Sequence, residues 1–433
     1  MKYYFSLFLL LPSLVNALSI DEAVQQTIKT NPQIEIKKQE LLTEQKTLGI
    51  AKADWLPKLD LSYSVGPEVT HTLANKATTP QDAKETNTRQ DASAKLTQNI
   101  FSGFDTVNAI KQQEALILSA NGNVKDSANA IALETITAYV NILKNKELFD
   151  IAQDNLDVHK KYLAQIKDKL EAGVGKSSDY KQTLSRFENA KSVYFLSEQN
   201  YKNAISTFQR ILPVEAQASE LVEPKIGELP AETLEELVQM AMKNNPTIHV
   251  SEADIQFAQA ALKRANSTYY PQADITAQAY WNDELNGRRT NPTEQDGYNV
   301  LLVLSYNVFN GLADKSYKEA NQHRVLTKNS ALEDTKRFVT AYTKIAWNTF
   351  NSTKQQLIHI NKNIQASAET VSDYQDEHDL GRRSIIDLLN IELEYNGAKN
   401  RKVTAEYDRI LAYYQILTHT GKLLESMSVK IEN

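Results

Sequence analysis

The most regular feature of the chain is a seven-residue spacing of apolar side chains that continues over about 60 positions. The apolar residues form two series, and the second series is three to four residues out of phase with the first. The series are Ile110, Ile117, Val124, Ile131 and Ala138, followed by Ile142, Phe149, Leu156, Leu163 and Leu170. This pattern predicts a long helix that packs against other helices as in a coiled coil.

A second pattern, the alternation of apolar and polar residues, predicts β-strands. Apolar residues occupy every second position from Leu59 to Val65 and from Ala273 to Trp281. Alternation over about ten residues is typical of a strand with one apolar face. The return strands are expected at about 92–101 and 298–309, and the polar loops before them at about 67–90 and 284–296.

Both patterns occur twice because the chain contains an internal repeat. Residues 19–60 align with 233–274 at an offset of 214, and residues 99–190 align with 307–398 at an offset of 208. The matching positions include Asn31/Asn245, Pro32/Pro246, Pro57/Pro271, Gly103/Gly311, Gly173/Gly381 and Asp179/Asp387. Two constant offsets that carry the same prolines and glycines predict two structural repeats.

Glycine and proline mark the expected ends of the helices in each repeat. Gly103 to Gly173 and Gly311 to Gly381 both span 70 residues, which corresponds to about 105 Å of α-helix. At the two Asn-Pro pairs, asparagine can cap one helix and proline can begin the next. The other helices are expected at 33–56, 247–269, 177–212 and 384–424.

The N-terminus predicts a secretory signal peptide. Lys2 precedes an apolar run from Tyr3 to Leu11, and small residues precede the expected cleavage after Ala17. The run is less than half of the about 20 residues that a membrane-spanning helix needs, which disfavours a membrane anchor. The expected organisation is a signal peptide at 1–17, repeats at 18–212 and 233–424, a linker or equatorial segment at 213–232 and a C-terminal tail at 425–433.

Composition excludes several classes of protein. The 433 residues contain no cysteine, which excludes disulfides, thiolate catalysis and cysteine-ligated zinc. The chain has only 13 glycines and 11 prolines, so folds built from many short elements are disfavoured. The apolar fraction of 41% and the mean hydropathy of −0.47 exclude a helical integral membrane protein. A net charge of −6 with interspersed signs argues against a nucleic-acid partner.

The two predicted β-hairpins allow two interpretations. They could form a surface sheet on a soluble helical protein. Strands of about ten residues with one apolar face can also cross a bilayer when tilted, and in lipid such a sheet has to close into a barrel. Four strands are too few, because the smallest barrels need about eight. Closure would therefore need several chains, for example three chains that supply twelve strands.

The order of these motifs resembles the TolC family of outer membrane efflux proteins over essentially the whole mature chain. The similar features are the Asn-Pro junctions, Trp55-Leu56-Pro57, Tyr270-Pro271, Asn-Ile-Phe-Ser-Gly at 99–103, Asn-Val-Phe-Asn-Gly at 307–311, and the pairs Gly173/Asp179 and Gly381/Asp387. The resemblance implies a mainly α fold with a small β part, assembled as a homotrimer. A twelve-stranded β-barrel would cross the outer membrane, and coiled-coil helices would continue it as an α-barrel through the periplasm. Because no cysteine is present for a lipid anchor, the chain resembles the unlipidated branch.

The resemblance also implies a function and partners. The channel would export drugs, toxic compounds or secreted proteins from a Gram-negative cell. Its partners would be a periplasmic adaptor protein, an inner membrane pump of the RND, ABC or MFS type, and outer membrane lipid. No enzymatic activity, cofactor, metal or nucleic acid is expected.

The resemblance places the periplasmic entrance at the turns of the helical hairpins. The turns contain Gly173, Gly175 and Gly381, and the junctions between strands and helices contain Pro57, Gly103, Pro271 and Gly311. Asp387 matches the first of two family aspartates that ring the constriction, and Asn390 occupies the second position. An aspartate ring concentrates cations, so the loss of one carboxylate per subunit is expected to weaken that effect. Ser384-x-x-Asp387 also has the pattern of a capping box, and both roles of Asp387 stay open.

In the family, polar links between neighbouring hairpins hold the entrance closed. The matching positions are Arg383 with Ser178, and His378 with Asp179. We expect these contacts to favour the closed state, and an ionisable His378 near Asp179 would make closure stronger at acidic pH. The alternative is that these side chains are solvated charges without a role in closure.

Other classes of protein fit less well. A periplasmic coiled-coil adaptor or scaffold could use the hairpins for docking, but the lipoyl-like or barrel domain of an adaptor is not visible. An enzyme is disfavoured because no nucleophile–base pair or metal-ligand spacing emerges. Residues 173–177 resemble the end of a phosphate-binding loop, but Leu170 stands where glycine is required, and a heptad helix precedes the segment instead of a strand.

Overall fold

The computed structural model describes residues 17–72, 83–214, 217–285 and 295–429. The predicted signal peptide, apart from Ala17, and the last residues of the predicted C-terminal tail lie outside the described residues.

The two halves of the chain contain the same series of elements. The first half forms α1 (Ile20–Thr30), α2 (Pro32–Ala53), β1 (Lys58–Thr72), β2 (Ala83–Phe101), α3 (Asp105–Glu171) and α4 (Ser177–Ile211). The second half forms α5 (Leu234–Asn244), α6 (Pro246–Ala265), β3 (Gln272–Leu285), β4 (Gln295–Ser305), α7 (Ala313–Asp379) and α8 (Ile385–His419), followed by α9 (Leu423–Ser426). The predicted fold class, mainly α with a small β part and two internal repeats, is confirmed.

The short helices begin and end at matching caps. Ser19 and Thr233 each accept a hydrogen bond from the backbone N–H three residues later, and a glutamate at that position accepts one in return. Asn31 and Asn245 end α1 and α5, and their side-chain oxygens accept the backbone N–H two residues later at 2.9 and 3.0 Å. The proline that follows each asparagine is the first residue of the next helix, where its missing N–H costs no hydrogen bond.

The chain divides into two compact units. Unit 1 comprises Met1–Lys38, Gly122–His249 and Asp334–Asn433, and unit 2 comprises Gln39–Asn121 and Val250–Glu333. The turns of both helical hairpins belong to unit 1, and the four strands belong to unit 2.

Unit 1 has an extended apolar core. Its largest fully buried side chains include Ile136, Tyr139, Ile142, Phe208, Leu237 and Ile416. The hydroxyl group of Tyr139 lies 2.7 Å from the carbonyl oxygens of both Leu18 and Val222. Leu18 also forms a parallel β-bridge with Leu221. These contacts attach Leu18, just before α1, and the predicted linker segment to the middle of α3.

The heptad positions of α3 are buried or half-buried along the whole helix. The first series is the more buried, with Val124 fully enclosed, whereas the positions from Phe149 to Leu170 are half-buried. The heptad pattern therefore identifies the packed face in the first part of α3. Beyond Phe149, the buried residues are instead Ala152, His159, Tyr162 and Ile166. Within the described residues, none of the helices has an apolar stretch long enough to cross a membrane.

Unit 2 contains one antiparallel sheet in the order β1-β2-β3-β4. The register pairs Leu61 with Ala94, Ala94 with Ala279, and Ile275 with Leu302. The alternating apolar positions of the four strands, which include Leu61, Ala94, Ile275 and Leu302, therefore fall on one face of the sheet. This face is exposed in the single chain, with 76% of Leu61 and 65% of Leu302 accessible.

The opposite face of the sheet is mainly polar. The hydroxyl groups of Ser62 and Ser93 lie 2.8 Å apart, and Arg89 pairs with Asp91 at 2.8 Å. β4 is an exception, because Leu301 places an apolar side chain on this face as well. β1, β2 and β3 thus alternate apolar and polar side chains, as the sequence predicts for a sheet with one apolar and one polar face.

The strands have different bounds from those predicted. β1 continues to Thr72 and β2 begins at Ala83, so most of the predicted loop at 67–90 is strand. Pairing continues here because backbone hydrogen bonds do not require apolar side chains. In the second half, β3 ends at Leu285 and β4 covers Gln295–Ser305, so both ends of the predicted loop at 284–296 are strand and the return strand ends earlier than predicted.

The long helices begin two residues later than predicted, for a conformational reason. Gly103 and Phe104 have φ angles of 65° and 69°, and Gly311 and Leu312 have φ angles of 56° and 66°. Residues in the left-handed region cannot continue a right-handed helix. Each long helix therefore begins at the second residue after its glycine.

Candidate functional site

The helical hairpins α3–α4 and α7–α8 turn through the same backbone motif. Gly173 and Gly381 adopt φ angles of 76° and 72°. At the first turn, the N–H groups of Gly173 and Val174 each donate to a carbonyl of the last turn of α3 at 3.0 Å, and the matching bonds after α7 measure 2.9 and 2.8 Å. This is the Schellman motif, in which glycine supplies the left-handed residue at low cost.

Gly175 lies in the first turn for a different reason. A Cβ atom at this position would lie 2.8 Å from the backbone nitrogen of Leu170 and 2.9 Å from the carbonyl carbon of Lys169. Only glycine allows the turn to approach the end of α3 so closely. Its sequence equivalent in the second turn is Arg383, so the two turns share a backbone motif but carry different side chains.

A small apolar cluster lies beside the turns. It consists of Tyr162, Ile166, Ile385, Leu388 and Leu389, all buried. The cluster joins the last third of α3 to the first turns of α8. The hydroxyl group of Tyr162 donates to Gln375 at 2.8 Å, which adds a contact between α3 and α7.

Arg383 is held within the second hairpin. Its Nε donates to Glu377 at 2.6 Å, and its guanidinium carbon lies 3.9 Å from the centre of the Tyr374 ring. The carbonyl oxygen of Arg383 lies 2.9 Å from Nδ1 of His378 and accepts a hydrogen bond from it. The hydrogen bond to Glu377 is the largest of the effects that raise the pKa of Arg383, followed by smaller contributions from Tyr374 and Asp387. Glu377 and Tyr374 are thus partners of Arg383 that the sequence alone did not indicate.

Ser178 and Asp179 contact each other in the first turn of α4, where the Ser178 hydroxyl donates to the Asp179 carboxylate at 3.1 Å. In the single chain, Arg383, His378, Ser178 and Asp179 therefore each have a partner within their own hairpin. Their predicted role in closing an entrance stays a prediction.

Asp387 lies in the first turn of α8. Ser384 is the N-cap, and its hydroxyl accepts the N–H groups of Ile386 and Asp387 at 3.1 and 3.3 Å. Among the described residues, no hydrogen bond returns from the Ser384 N–H to the Asp387 carboxylate. The predicted capping box is thus half formed, and the Asp387 carboxylate is half-exposed and not used as a cap.

Asn390 has a partner that sequence reasoning missed. Arg186 on α4 donates to the side-chain oxygen of Asn390 at 2.7 Å and to the backbone carbonyl of Leu389 at 3.3 Å. These two bonds join the first hairpin to the second. No motif marks Arg186, because it is a polar residue on a helix with many charged positions.

Titratable groups are buried next to this link. Burial, and then the positive charge of Arg186, lowers the pKa of His159, whose Nδ1 has no hydrogen-bond partner in the described part of the chain. Burial raises the pKa of Glu392, an effect that Lys399 partly offsets. Burial and the nearby Glu392 and Asp379 carboxylates raise the pKa of Tyr162 to about 12, so its hydroxyl stays protonated.

The predicted junction residues all lie in unit 2, between strands and helices. Pro57 directly precedes β1, and Pro271 directly precedes β3. A Cβ atom on Gly103 would lie 2.5 Å from the carbonyl oxygen of Ser267, so this turn also needs glycine for space. Gly311 has no such contact, and its left-handed φ alone favours glycine there. In the described residues, no cluster of three or more His, Asp or Glu side chains could hold a metal ion.

A comparison with protein-family models identifies the family. The model described as outer membrane efflux protein matches residues 23–212 and 237–422, which covers both repeats. The chain belongs to the outer membrane efflux protein family.

Individual relatives agree with this family. The chain is 20% identical to the outer membrane protein TolC of Escherichia coli strain K12, over 97% of this chain and 86% of that protein. It is 18% identical to the outer membrane efflux protein BepC of Brucella suis, over 93% of this chain and 85% of that protein. The crystal structure of the Campylobacter jejuni CmeC outer membrane channel has a TM-score of 0.82 at 12% identity and covers 93% of this chain and 86% of that one. The last comparison shows a shared fold.

Family membership establishes the location and the class of function. The chain is an outer membrane efflux channel that extends into the periplasm, and the resemblance to the TolC family is confirmed. The comparisons favour this reading over the periplasmic adaptor or scaffold. The family is one of channel proteins and not of enzymes.

Proposed function

We propose that the channel is a homotrimer in which the strands of three chains close one twelve-stranded barrel. The observation that carries this proposal is the apolar face of the sheet, which is exposed on all four strands. Four strands are too few for a closed barrel, and β1 and β4 lie at the two edges of the sheet. Pairing of β4 with β1 of the next chain would satisfy both edges in lipid.

The partners follow from the same proposal. A periplasmic adaptor protein and an inner membrane pump of the RND, ABC or MFS type would deliver cargo to the helical hairpins. The cargo would be drugs and toxic compounds or a secreted protein, with the choice made largely by the pump. The channel itself performs permeation and gating without bond chemistry.

The gate of the proposed channel is formed by the hairpin turns. Asp387, which is half-exposed, and Asn390 would line the constriction. Contacts of Arg383 with Ser178 and of His378 with Asp179 across neighbouring hairpins would favour closure. These contacts would replace the bonds that the side chains make within their own hairpins.

Two measurements on the wild type test the assembly. Membrane fractionation should place the mature protein in the outer membrane, and native mass spectrometry in detergent should give the mass of three chains. A soluble monomer would contradict the proposal.

Conductance in planar bilayers tests the gate. Asp179→Ala and Arg383→Ser should each raise the fraction of time that the pore is open, because each removes a contact of the closed state. Asp168→Ala is the control, since it removes an exposed carboxylate of the same hairpin for which the structure gives no side-chain hydrogen bond. Unchanged currents in both gate variants would exclude these residues from the gate.

A further inference from the structure

Arg186 joins the two hairpins of one chain through a pair of hydrogen bonds. Its two terminal nitrogens donate to different acceptors on α8, the side-chain oxygen of Asn390 at 2.7 Å and the carbonyl oxygen of Leu389 at 3.3 Å. Leu389 is fully buried in the apolar cluster beside the turns. Arg186 thus holds both the backbone and a side chain of the second turn of α8.

The Arg186 bonds connect α8 to α4, whereas other side-chain bonds connect α8 to α3. Along its length, α8 is bonded to α3 by Asn396 with Asn155, by Tyr407 with Glu147 and by the pair Asp408–Lys144. In the described part of the chain, the hydrogen bonds between α4 and α8 are the two that Arg186 donates. Any movement that takes the start of α8 away from α4 has to break both.

The two hydrogen bonds of Arg186 can break and form again because their acceptors are neutral. Within the described residues, no carboxylate lies within ion-pair distance of Arg186, so a full positive charge is bonded to two neutral oxygens. Such bonds are stronger than bonds between neutral groups but weaker than a bidentate pair of arginine with a carboxylate.

We propose that Arg186 is a positioning residue of the gate, which favours the closed channel by holding Asn390 and the second turn of α8 against α4. This inference rests on the proposed function, because it assigns a role to the link in the opening of the same hairpin turns. Asn390 then has a role of its own besides replacing a second constriction aspartate. Its amide oxygen accepts the hydrogen bond through which Arg186 holds α8 in place.

The experiment is a set of variants measured in planar bilayers. Asn390→Ala should raise the ratio of open to closed channels by about tenfold per subunit, which corresponds to the loss of one hydrogen bond to a charged group. Arg186→Ala removes both bonds and should raise this ratio by at least as much. Arg186→Lys should lie between the wild type and Arg186→Ala, because an ammonium group is a point donor and not a fork. Arg382→Ala is the matched control, since it removes the same charge from an exposed position next to Gly381.

Asn390→Asp gives the sharpest test, because its effect depends on Arg186. A carboxylate at 390 would form an ion pair with Arg186 and lower the open fraction. In the Arg186→Ala background the same substitution should no longer lower it. A residue with only a structural role would not produce this dependence.

The outcomes separate the inference from the proposed function. If the wild type forms no pores, the proposed function fails and the inference fails with it. If the wild type gates normally, but Arg186→Ala matches Arg382→Ala and the effect of Asn390→Asp is the same with and without Arg186, only the inference is overturned. If Arg186→Ala does not assemble into trimers, Asn390→Ala and Arg186→Lys test the inference instead. Wild-type gating in both of these variants would overturn the inference.

Discussion

Two glycines of this chain have opposite steric surroundings. Gly175 has backbone atoms of Lys169 and Leu170 where a Cβ would lie, whereas Gly49 in the interior of α2 has no neighbouring atom within 4 Å of that position. Gly175→Ala should destabilise the protein by about 1–3 kcal/mol through overpacking. Gly49→Ala should stabilise it by about 0.5–1 kcal/mol, because alanine loses less backbone entropy in a helix.

Thermal unfolding of the two variants in the same detergent checks this pair of predictions. The opposite signs provide the control, since both substitutions add one methyl group to a glycine. If Gly175→Ala unfolds at or above the wild-type temperature, the turn does not approach α3 as closely as described.

His159 predicts a dependence of stability on pH. Burial, and secondarily Arg186, lowers its pKa in the folded protein, so the unfolded chain binds a proton that the folded chain does not. Stability should therefore be unaffected above the ordinary histidine value of about 6.5 and should fall as the pH drops below it. His159→Gln should lose part of this decrease between pH 7.5 and pH 5, as measured by the midpoint of thermal unfolding.

The remaining pH dependence has an identified source. His419 is also buried with a lowered pKa, so the variant should keep part of the decrease. His323→Gln serves as the control, because His323 is exposed and should leave the pH profile as in the wild type. Equal profiles for all three proteins would show that His159 does not stay neutral in the fold.

At the scale of elements, the starts of the two return helices differ. The Ser384 hydroxyl caps α8, while Lys176 stands at the N-cap of α4 and makes no cap bond with its side chain. Ser384→Ala should cost about 1 kcal/mol and increase hydrogen exchange at the amides of Ile386 and Asp387. Lys176→Ala should change the exchange of the first turn of α4 little, since no bond is lost there.

The elements could be predicted from the sequence wherever one local rule determines them. Heptads indicated α3, the Asn-Pro pairs marked the helix junctions, and alternation located the strands. The bounds depended on interactions that local patterns do not show. Main-chain pairing extends β1 and β2 past their apolar residues, and a left-handed Phe104 after Gly103 delays α3. In this conformation Phe104 packs edge-on against the rings of Phe101 and Tyr270.

At the scale of the whole molecule, the two faces of the sheet should respond differently to charge. Leu61 lies on the exposed apolar face and Ser62 on the polar face. In the proposed barrel, Leu61→Arg would face lipid and cost about 2–4 kcal/mol per subunit near the middle of the bilayer. Trimer yield in the outer membrane fraction should fall for Leu61→Arg and stay near wild type for Ser62→Arg. Similar yields for both variants would contradict a lipid-facing apolar surface.

The candidate site was less predictable than the fold. Resemblance drew attention to Asp387, Asn390 and Arg383 by position, but the side-chain partners of Asn390 and Arg383 come from other helices. Arg186 is 204 residues from Asn390 in the sequence, and only the packing of α4 beside α8 brings them together. A single sequence without repeated motifs at Arg186 contains no signal for such a pair.

The two hairpin turns have nearly the same backbone, but the second carries Arg383 and His378 where the first carries Gly175 and Leu170. In the proposed trimer, six turns would form a ring in which two chemical kinds alternate. A partner that recognises only the shape of a turn would find six equivalent places on this ring. A partner that recognises the charged side chains would find three, so the stoichiometry of docking depends on how far the side chains of the duplicated hairpin have diverged.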